Sequence, residues 1–123
     1  MIAFLVEDSK KIRESLIALI NSMTEIVIAD FAETQNDAIE WLENNPWDVV
    51  IVDLNLREGH GLEVLRALQT NSKVDLSAKR RVVLTNYASP QMRIRCEELG
   101  ADAFFDKSSD IDRLIEYLTG EPA

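Results

Sequence analysis

The stretch Val49-Val50-Ile51-Val52-Asp53 decides the fold of this 123-residue chain. It places four β-branched apolar residues in a row and ends them with a carboxylate. A strand with one face in water alternates apolar and polar residues, whereas a strand buried on both faces of a parallel sheet is apolar throughout. The stretch therefore predicts a buried parallel strand with an acidic residue at its carboxyl end.

Four more apolar runs of strand length lie on either side of this strand, at residues 2–6, 26–29, 82–84 and 103–105. Each run is followed by a segment with apolar residues at helical spacing, as in Ile12, Leu16 and Ile20. Strands and helices therefore alternate along the whole chain.

Residues that begin helices stand at the expected boundaries. Thr34 and Asp37 have capping-box spacing, Ser109 and Asp112 repeat it before the last helix, and Pro90 suits a helix start. Five strand–helix repeats predict the α/β class, with a doubly wound parallel sheet and helices on both faces.

Charge narrows the class of partner. The formal net charge of −9 repels phosphate backbones, which argues against direct nucleic-acid binding. The one basic cluster, at residues 79–81, directly precedes an apolar run. We interpret it as the solvated start of a strand rather than as a partner contact.

Composition and length narrow the class of protein further. Hydrophobic residues make up 46% of the chain, but no apolar run reaches the roughly 20 residues of a membrane span. Cys96 is alone, which fits a reducing compartment. We therefore expect one cytoplasmic domain over residues 1–123 with no membrane partner, either stand-alone or cut from a longer protein. Residues 121–123 would suit a tail or a linker.

Polar residues follow the runs where a parallel α/β sheet binds ligands, beyond the carboxyl ends of its strands. Glu7 and Asp8 follow the first run, Asp30 the second, Asp53 the third, Thr85 the fourth, and Asp106 and Lys107 the fifth. A single such residue is most often a helix cap or a turn residue, so Asp8 could cap the first helix and Thr85 could bind a loop amide. Chance is a poor explanation for polar residues at the ends of four separate strands. Only Asp30, on an outer strand, is left to a structural role.

Three converging carboxylates suggest a metal. Glu7, Asp8 and Asp53 would repel one another unless a cation is present, and hard oxygen ligands suit Mg²⁺. An acyl phosphate on Asp53 would add about one negative charge. Lys107 and the Thr85 hydroxyl could bind the added oxygens. These residue types match phosphoryl transfer, in which positioning and charge neutralisation supply most of the catalysis.

Other nucleotide and hydrolase sites do not fit. The first strand runs into Glu7-Asp8-Ser9-Lys10 rather than a glycine-rich turn, which excludes a Rossmann dinucleotide site, and no P-loop pattern is present. The single histidine, His60, is interpreted as a solvated loop residue, so a Ser/His/Asp triad is not expected.

The strand-end residues resemble the motifs of bacterial response-regulator receiver domains. The resemblance covers the whole chain, through Phe4-Leu5-Val6-Glu7-Asp8, Val50-Ile51-Val52-Asp53-Leu54-Asn55-Leu56, Val83-Leu84-Thr85-Asn86-Tyr87-Ala88 and Gly100-Ala101-Asp102-Ala103-Phe104-Phe105-Asp106-Lys107. It implies a flavodoxin-like, five-stranded sheet in the order 2-1-3-4-5.

The resemblance also implies a role for each site residue. Asp53 would accept the phosphoryl group from a phosphohistidine, and Asp8 would bind Mg²⁺ directly. Glu7 would bind the metal largely through water, and the backbone carbonyl of Asn55 would be a further ligand. Thr85 would move toward the phosphoryl group and Lys107 would pair with its oxygen. Phe104 occupies the aromatic switch position or simply packs in the fifth strand, and without a tyrosine hydroxyl any switch would be read out by packing alone.

Three residues depart from the family pattern. Arg57 replaces a common proline four residues after Asp53, so we expect a more mobile loop there. Asn86 stands where a small residue is usual and would narrow the approach to Asp53. Ser108 follows Lys107 in place of a proline, so the fifth strand is expected to connect differently to the last helix.

The sequence thus predicts a signalling domain of a two-component system that is switched by phosphorylation and that catalyses only its own phosphorylation and dephosphorylation. Its partners would be a histidine kinase or phosphotransfer protein, and a downstream protein or second copy that binds the surface of the fourth helix, fifth strand and fifth helix. Two alternatives remain: a small Mg²⁺-dependent phosphohydrolase with an aspartyl nucleophile, and an interaction domain that is never phosphorylated.

Overall fold

The computed structural model describes residues 1–71 and 73–120 of the chain. Within these residues five strands and five helices alternate: β1 (Ile2–Val6), α1 (Lys10–Met23), β2 (Val27–Ala32), α2 (Gln35–Asn44), β3 (Val49–Val52), α3 (Gly61–Thr70), β4 (Arg80–Thr85), α4 (Pro90–Glu98), β5 (Ala103–Asp106) and α5 (Ile111–Thr119). The strands form one parallel sheet in the order β2-β1-β3-β4-β5, which confirms the predicted class and strand order. The expected tail or linker at residues 121–123 lies outside the described residues.

The central strand, β3, is the buried parallel strand predicted from residues 49–52. β3 pairs with β1 on one side and β4 on the other, and all of its residues are buried. Apolar side chains on both faces of β3 are therefore removed from water, which is the main driving force for this layered arrangement.

The second strand differs from the prediction. β2 begins and ends later than the run at 26–29, so Asp30 lies inside the strand rather than after it. Val27 is 60% exposed, and most of β2 is exposed, because this edge strand has one neighbour, β1, among the described residues. A register shift against Ala3 and Phe4 also interrupts the pairing, a common feature of edge strands.

Side-chain caps correct two interpretations of the sequence. Ser9, not Asp8, caps α1, since Ser9 Oγ accepts a hydrogen bond from the Ile12 N–H at 3.3 Å. His60 is not merely a loop residue: its Nδ1 accepts from the Leu62 N–H at 3.1 Å and caps α3.

The caps of α2 and α5 give one confirmation and one further correction. Thr34 caps α2 through the Asp37 N–H, as predicted. Ser109 does not cap α5; Asp110 stands at the N-cap, and its Oδ2 accepts from the Asp106 N–H at 3.0 Å instead of from the helix.

Three apolar clusters fill the space around the sheet. One lies under α1 and α5, a second under α2 and α3, and a third contains Leu65 of α3, Cys96 of α4 and Phe104 of β5. No helix in the described part of the chain is both long and apolar enough to cross a membrane.

The basic cluster at residues 79–81 does not form one patch. Lys79 Nζ lies 4.6 Å from the centre of the Trp47 ring, and Arg80 lies 5.3 Å from that of Tyr117. The Arg81 guanidinium packs against Gly100. The three cations therefore point to different neighbours.

Candidate functional site

The carboxyl ends of β1 and β3 bring three carboxylates together. Val6 pairs with Val52, so the residues that follow these strands leave the sheet side by side. One oxygen each from Glu7, Asp8 and Asp53 lies within 4.8 Å of the other two. Glu7 and Asp53 are 1% and 7% exposed, and Asp8 is partly exposed. The convergence that the strand ends suggested is present in the structure.

Lys107 joins two of these carboxylates. Its Nζ donates hydrogen bonds to Glu7 Oε1 and, at 3.0 Å, to Asp53 Oδ2. Burial alone would lower the pKa of Lys107, but the hydrogen bond to Glu7 and the charge of Asp53 outweigh burial and raise the pKa above its ordinary value. Lys107 is therefore a stable ammonium group.

Glu7 is the most confined of the three acids. Burial raises the pKa of its carboxyl group above the ordinary value, even though hydrogen bonds from Lys107 and from the Ser9 N–H act in the opposite direction. Both of its oxygens have protein donors, Oε1 from Lys107 and Oε2 from Ser9 at 3.1 Å. Counted as formal charges, one ammonium among three carboxylates leaves two negative charges unbalanced.

Asp8 and Asn55 lie beside this group. The Asp8 side chain makes no hydrogen bond or ion pair with another described residue, so its oxygens are available to a ligand. The Asn55 backbone N–H lies 3.4 Å from Asp53 Oδ1, and its Nδ2 donates to the Tyr87 hydroxyl at 3.3 Å. Asn55 is thus held next to Asp53.

Thr85 and Phe104 come from the adjacent strands β4 and β5. Thr85 is fully buried, and its Oγ1 accepts a hydrogen bond from the Tyr87 N–H at 3.1 Å. Phe104 is 6% exposed, and the Arg93 guanidinium from α4 lies 4.8 Å from the centre of its ring. Packing is therefore not the only contact of Phe104, because a cation also lies over its face.

A family model for the response regulator receiver domain matches residues 3–119. The chain belongs to this family. Phosphorylation-switched signalling in two-component systems is the general function of the family, and its receiver domains interact with kinases and downstream effectors in general. Receiver domains typically bind Mg²⁺ at an acidic pocket, and Glu7, Asp8 and Asp53 of this receiver form an acidic group that could bind a metal.

Curated relatives are longer than this receiver domain. A protein-glutamate methylesterase/protein-glutamine glutaminase of Treponema denticola is 32% identical over 108 residues, which are 85% of this chain and 28% of that protein. The transcriptional regulatory protein YdfI of Bacillus subtilis is 26% identical over 93% of this chain and 51% of its own length. The chain thus spans about a quarter to a half of these two relatives.

Solved structures share the fold of this receiver domain. A two-component response regulator of the LuxR family from Aurantimonas superposes with a TM-score of 0.84 at 24% identity, over 95% of this chain and 81% of that one. The response regulator domain of Thermotoga maritima CheB has a TM-score of 0.80 at 20% identity, over 96% and 90% of the two chains. At these identities the likeness establishes the fold.

Sequence reasoning missed Arg13, which supports the acidic loop of the receiver domain. Arg13 is 7% exposed, and its Nη1 donates to the Glu7 backbone carbonyl at 3.0 Å and to Glu33 at 2.9 Å. It occupies the buried stripe of α1 together with Leu16 and Ile20. A charged residue at an apolar position of a helical pattern was the signal that could have revealed it.

The connection from β5 to α5 uses a turn closed by Asp106. Both the N–H and the hydroxyl of Ser108 donate to Asp106 Oδ1, at 2.8 and 2.7 Å. These bonds hold the pKa of the Asp106 carboxyl below its ordinary value. Asp106 therefore shapes the turn after Lys107. The other two residues that depart from the family pattern, Asn86 and Arg57, are exposed.

Proposed function

We propose that this receiver domain accepts a phosphoryl group on Asp53 and responds by changing the surface formed by α4, β5 and α5. The observation that carries the proposal is the Lys107 ammonium, whose side chain is 9% exposed and which lies 3.0 Å from Asp53 Oδ2 beside a group of three carboxylates. This arrangement places a nucleophilic oxygen next to a fixed positive charge. Such positioning and charge neutralisation are what phosphoryl transfer requires.

The residues present fit Mg²⁺. Asp8 and Asp53 would hold the ion directly, with the Asn55 backbone carbonyl, whereas Glu7 would act through water. The free side chain of Asp8 and the two occupied oxygens of Glu7 support this division. The two unbalanced negative charges match a divalent cation, and oxygen ligands suit Mg²⁺. When bound, the ion supplies positive charge to the oxygens of the transferred phosphoryl group.

In the transfer step a carboxylate oxygen of Asp53 forms a bond to phosphorus while the bond from phosphorus to the imidazole nitrogen of a phosphohistidine breaks. The nitrogen keeps the electron pair of the broken bond. Lys107 stays beside the product, where it pairs with a phosphoryl oxygen. Thr85 Oγ1 accepts from Tyr87 in this structure, so its own hydrogen can be donated to the phosphoryl group once the side chain turns toward it.

The response would travel from Thr85 and Phe104 to α4. The donor would be a histidine kinase or a phosphotransfer protein, and the reader of the changed surface a downstream protein or a second copy of the chain. The unit is a single domain over residues 1–123 that catalyses only its own phosphorylation and dephosphorylation. Its lone cysteine is buried, and we place the domain in the cytoplasm.

Incubation with acetyl phosphate and Mg²⁺, followed by intact mass measurement, tests the proposal. We expect one added phosphoryl group in the wild type and none in Asp53→Asn. Asp30→Asn is the matched control, because Asp30 is exposed on the edge strand and lies outside the acidic group.

The same assay separates the alternatives. An unmodified wild type that also fails to bind beryllofluoride with Mg²⁺ would contradict the proposal and favour an interaction domain. Release of many phosphate equivalents per chain from a phosphate ester would instead favour a phosphohydrolase.

A further inference from the structure

The loop after β3 is tied to Gln35, the first residue of α2. The backbone N–H of Gln35 donates to the Glu58 carbonyl at 2.9 Å, and Gln35 Oε1 accepts from the backbone N–H of His60 at 3.0 Å. Thr34 and Glu58 form a parallel β-bridge beside these bonds. A single residue of α2 therefore holds the loop on both sides of Gly59.

Gly59 shows how closely the loop packs on α2. Its φ is +90°, and a Cβ at this position would lie 2.3 Å from Gln35 Cβ. Only glycine combines this backbone conformation with such a close approach. Arg57 in place of a common proline led to the expectation of a more mobile loop, but Gln35 supplies a restraint that the sequence did not reveal.

The other side of the same loop reaches the phosphoacceptor. The Gly61 N–H donates to the Leu54 carbonyl at 2.8 Å, and Asn55 and His60 form an antiparallel β-bridge. His60, which Gln35 binds, therefore lies directly across from Asn55. The contacts run in an unbroken series from α2 through His60 to the residue beside Asp53.

We propose that Gln35 is a positioning residue for the phosphoacceptor loop: by holding His60 it fixes Asn55, and with it the backbone carbonyl that binds Mg²⁺ next to Asp53. This inference rests on the proposed function. Gln35 itself touches neither the metal nor the phosphoryl group. Its effect is on the affinity of the site for the ion, because partners that orient metal ligands contribute to metal binding.

Three variants of the full chain test this role by Mg²⁺ titration, followed by the NMR signals of the Asn55 and His60 amides. Gln35→Met keeps the length of the side chain but removes the acceptor, and we expect about tenfold weaker Mg²⁺ binding, at the lower end of such effects. Gln35→Glu keeps an acceptor for the His60 N–H and suits a helix N-terminus, so its affinity stays close to wild type. Asn36→Ala, at the exposed neighbouring position, is the control.

Two further measurements separate positioning from a general loss of structure. The thermal unfolding midpoint in chelator should be lower for the Met variant than for the Glu variant, because the His60 N–H loses its acceptor. Val64→Ala, which destabilises α3 at a fully buried position, should lower the midpoint without a matching loss of Mg²⁺ affinity. At saturating Mg²⁺ the phosphorylation rate of Gln35→Met with acetyl phosphate should return to that of wild type. Equal Mg²⁺ affinity in the Met and Glu variants would overturn the inference, and so would a loss of affinity that only parallels a loss of thermal stability. A wild type that binds Mg²⁺ but takes up no phosphoryl group would overturn the proposed function instead, while the affinities still decide the role of Gln35.

Discussion

Helices α3 and α4 pack against the same cluster but to very different extents. α3 buries Gly61, Leu62, Val64, Leu65 and Leu68, whereas α4 buries only Cys96. Most residues of α4 are exposed, and even its Ile94 is 55% exposed. A helix without a wide apolar stripe gains less from burial, so we expect α4 to be less firmly held than α3.

Under the proposed function, we expect this difference in packing to give the two helices separate roles. α3 follows the loop that carries Asp53 and Asn55 and forms its well-packed base. α4 follows Thr85 and places Arg93 over Phe104. Segments with few buried contacts open at the lowest free-energy cost, and moving elements are drawn from them. The firmly packed side of the domain therefore carries Asp53 and Asn55, and we expect the proposed response to take place on the loosely packed side.

The largest expected effect comes from the core contacts of α3. Leu65→Ala should lower the free energy of unfolding by about 2–5 kcal/mol, because it leaves a cavity at a fully buried position. Met92→Ala on α4, where the side chain is only partly buried, should cost under about 1.5 kcal/mol. Urea unfolding of both variants measures the difference. Equal losses would mean that α4 is as firmly packed as α3.

Amide hydrogen exchange compares the two helices without mutation. We expect the α4 amides to exchange at least about tenfold faster than those in the middle of α3, corresponding to about 1.4 kcal/mol less opening free energy. Mass spectrometry of peptides from residues 62–70 and 91–98, corrected for intrinsic rates, gives the comparison. Similar protection in both peptides would remove the physical basis for treating α4 as the responsive element.

The titration of Cys96 measures how well water is excluded from the contact between α4 and the sheet. Burial raises the pKa of its thiol from an ordinary value of 9.0 to about 11. The folded state then holds the thiol proton more tightly than the unfolded state. The neutral thiol therefore contributes to the free energy of unfolding in full below pH 9, and this contribution is lost as the pH rises toward 11. Between pH 8 and 10 the wild type should lose about 1 kcal/mol more than Cys96→Ala in urea unfolding. Parallel pH profiles would show that water reaches the thiol.

The central strands of the sheet could be predicted from the sequence because strands buried on both faces consist of apolar residues throughout. Four consecutive β-branched residues at 49–52 favour a strand that is buried on both faces of a sheet. In a parallel sheet the polar residues that follow several strands then meet at one edge. Asp30 was misplaced because an edge strand with one neighbour has no such apolar run. Helix starts were less certain, as Asp110 shows, since several polar residues compete for each cap.

Contacts between distant segments were beyond the sequence. Nothing in the residue types indicated that Gln35 would bind His60, because the bond depends on how α2 meets the loop after β3. The pairing of Lys107 with Glu7 as well as Asp53 has the same origin: three strand ends must first be placed before a side chain can be shared among them. The residue types at the strand ends predicted which side chains come together, whereas the packing of the elements determined which of them form hydrogen bonds.

The smallest expected effect concerns the contact that joins α4 to β5. Arg93 lies 4.8 Å from the centre of the Phe104 ring, and an exposed cation over an aromatic face contributes about 0.5–1 kcal/mol. Arg93→Ala should therefore cost that amount, whereas Arg95→Ala, on the same exposed helix, should cost less. In a Phe104→Leu background the difference between the two arginine variants should shrink to what the Arg93 hydrogen bond to the backbone carbonyl of residue 104 contributes, and a double-mutant cycle from urea unfolding measures this coupling. If Arg93→Ala costs the same with and without the aromatic ring, the cation gains nothing from the face of Phe104, and Arg93 acts on β5 only through its hydrogen bond to the Phe104 backbone carbonyl at 3.5 Å.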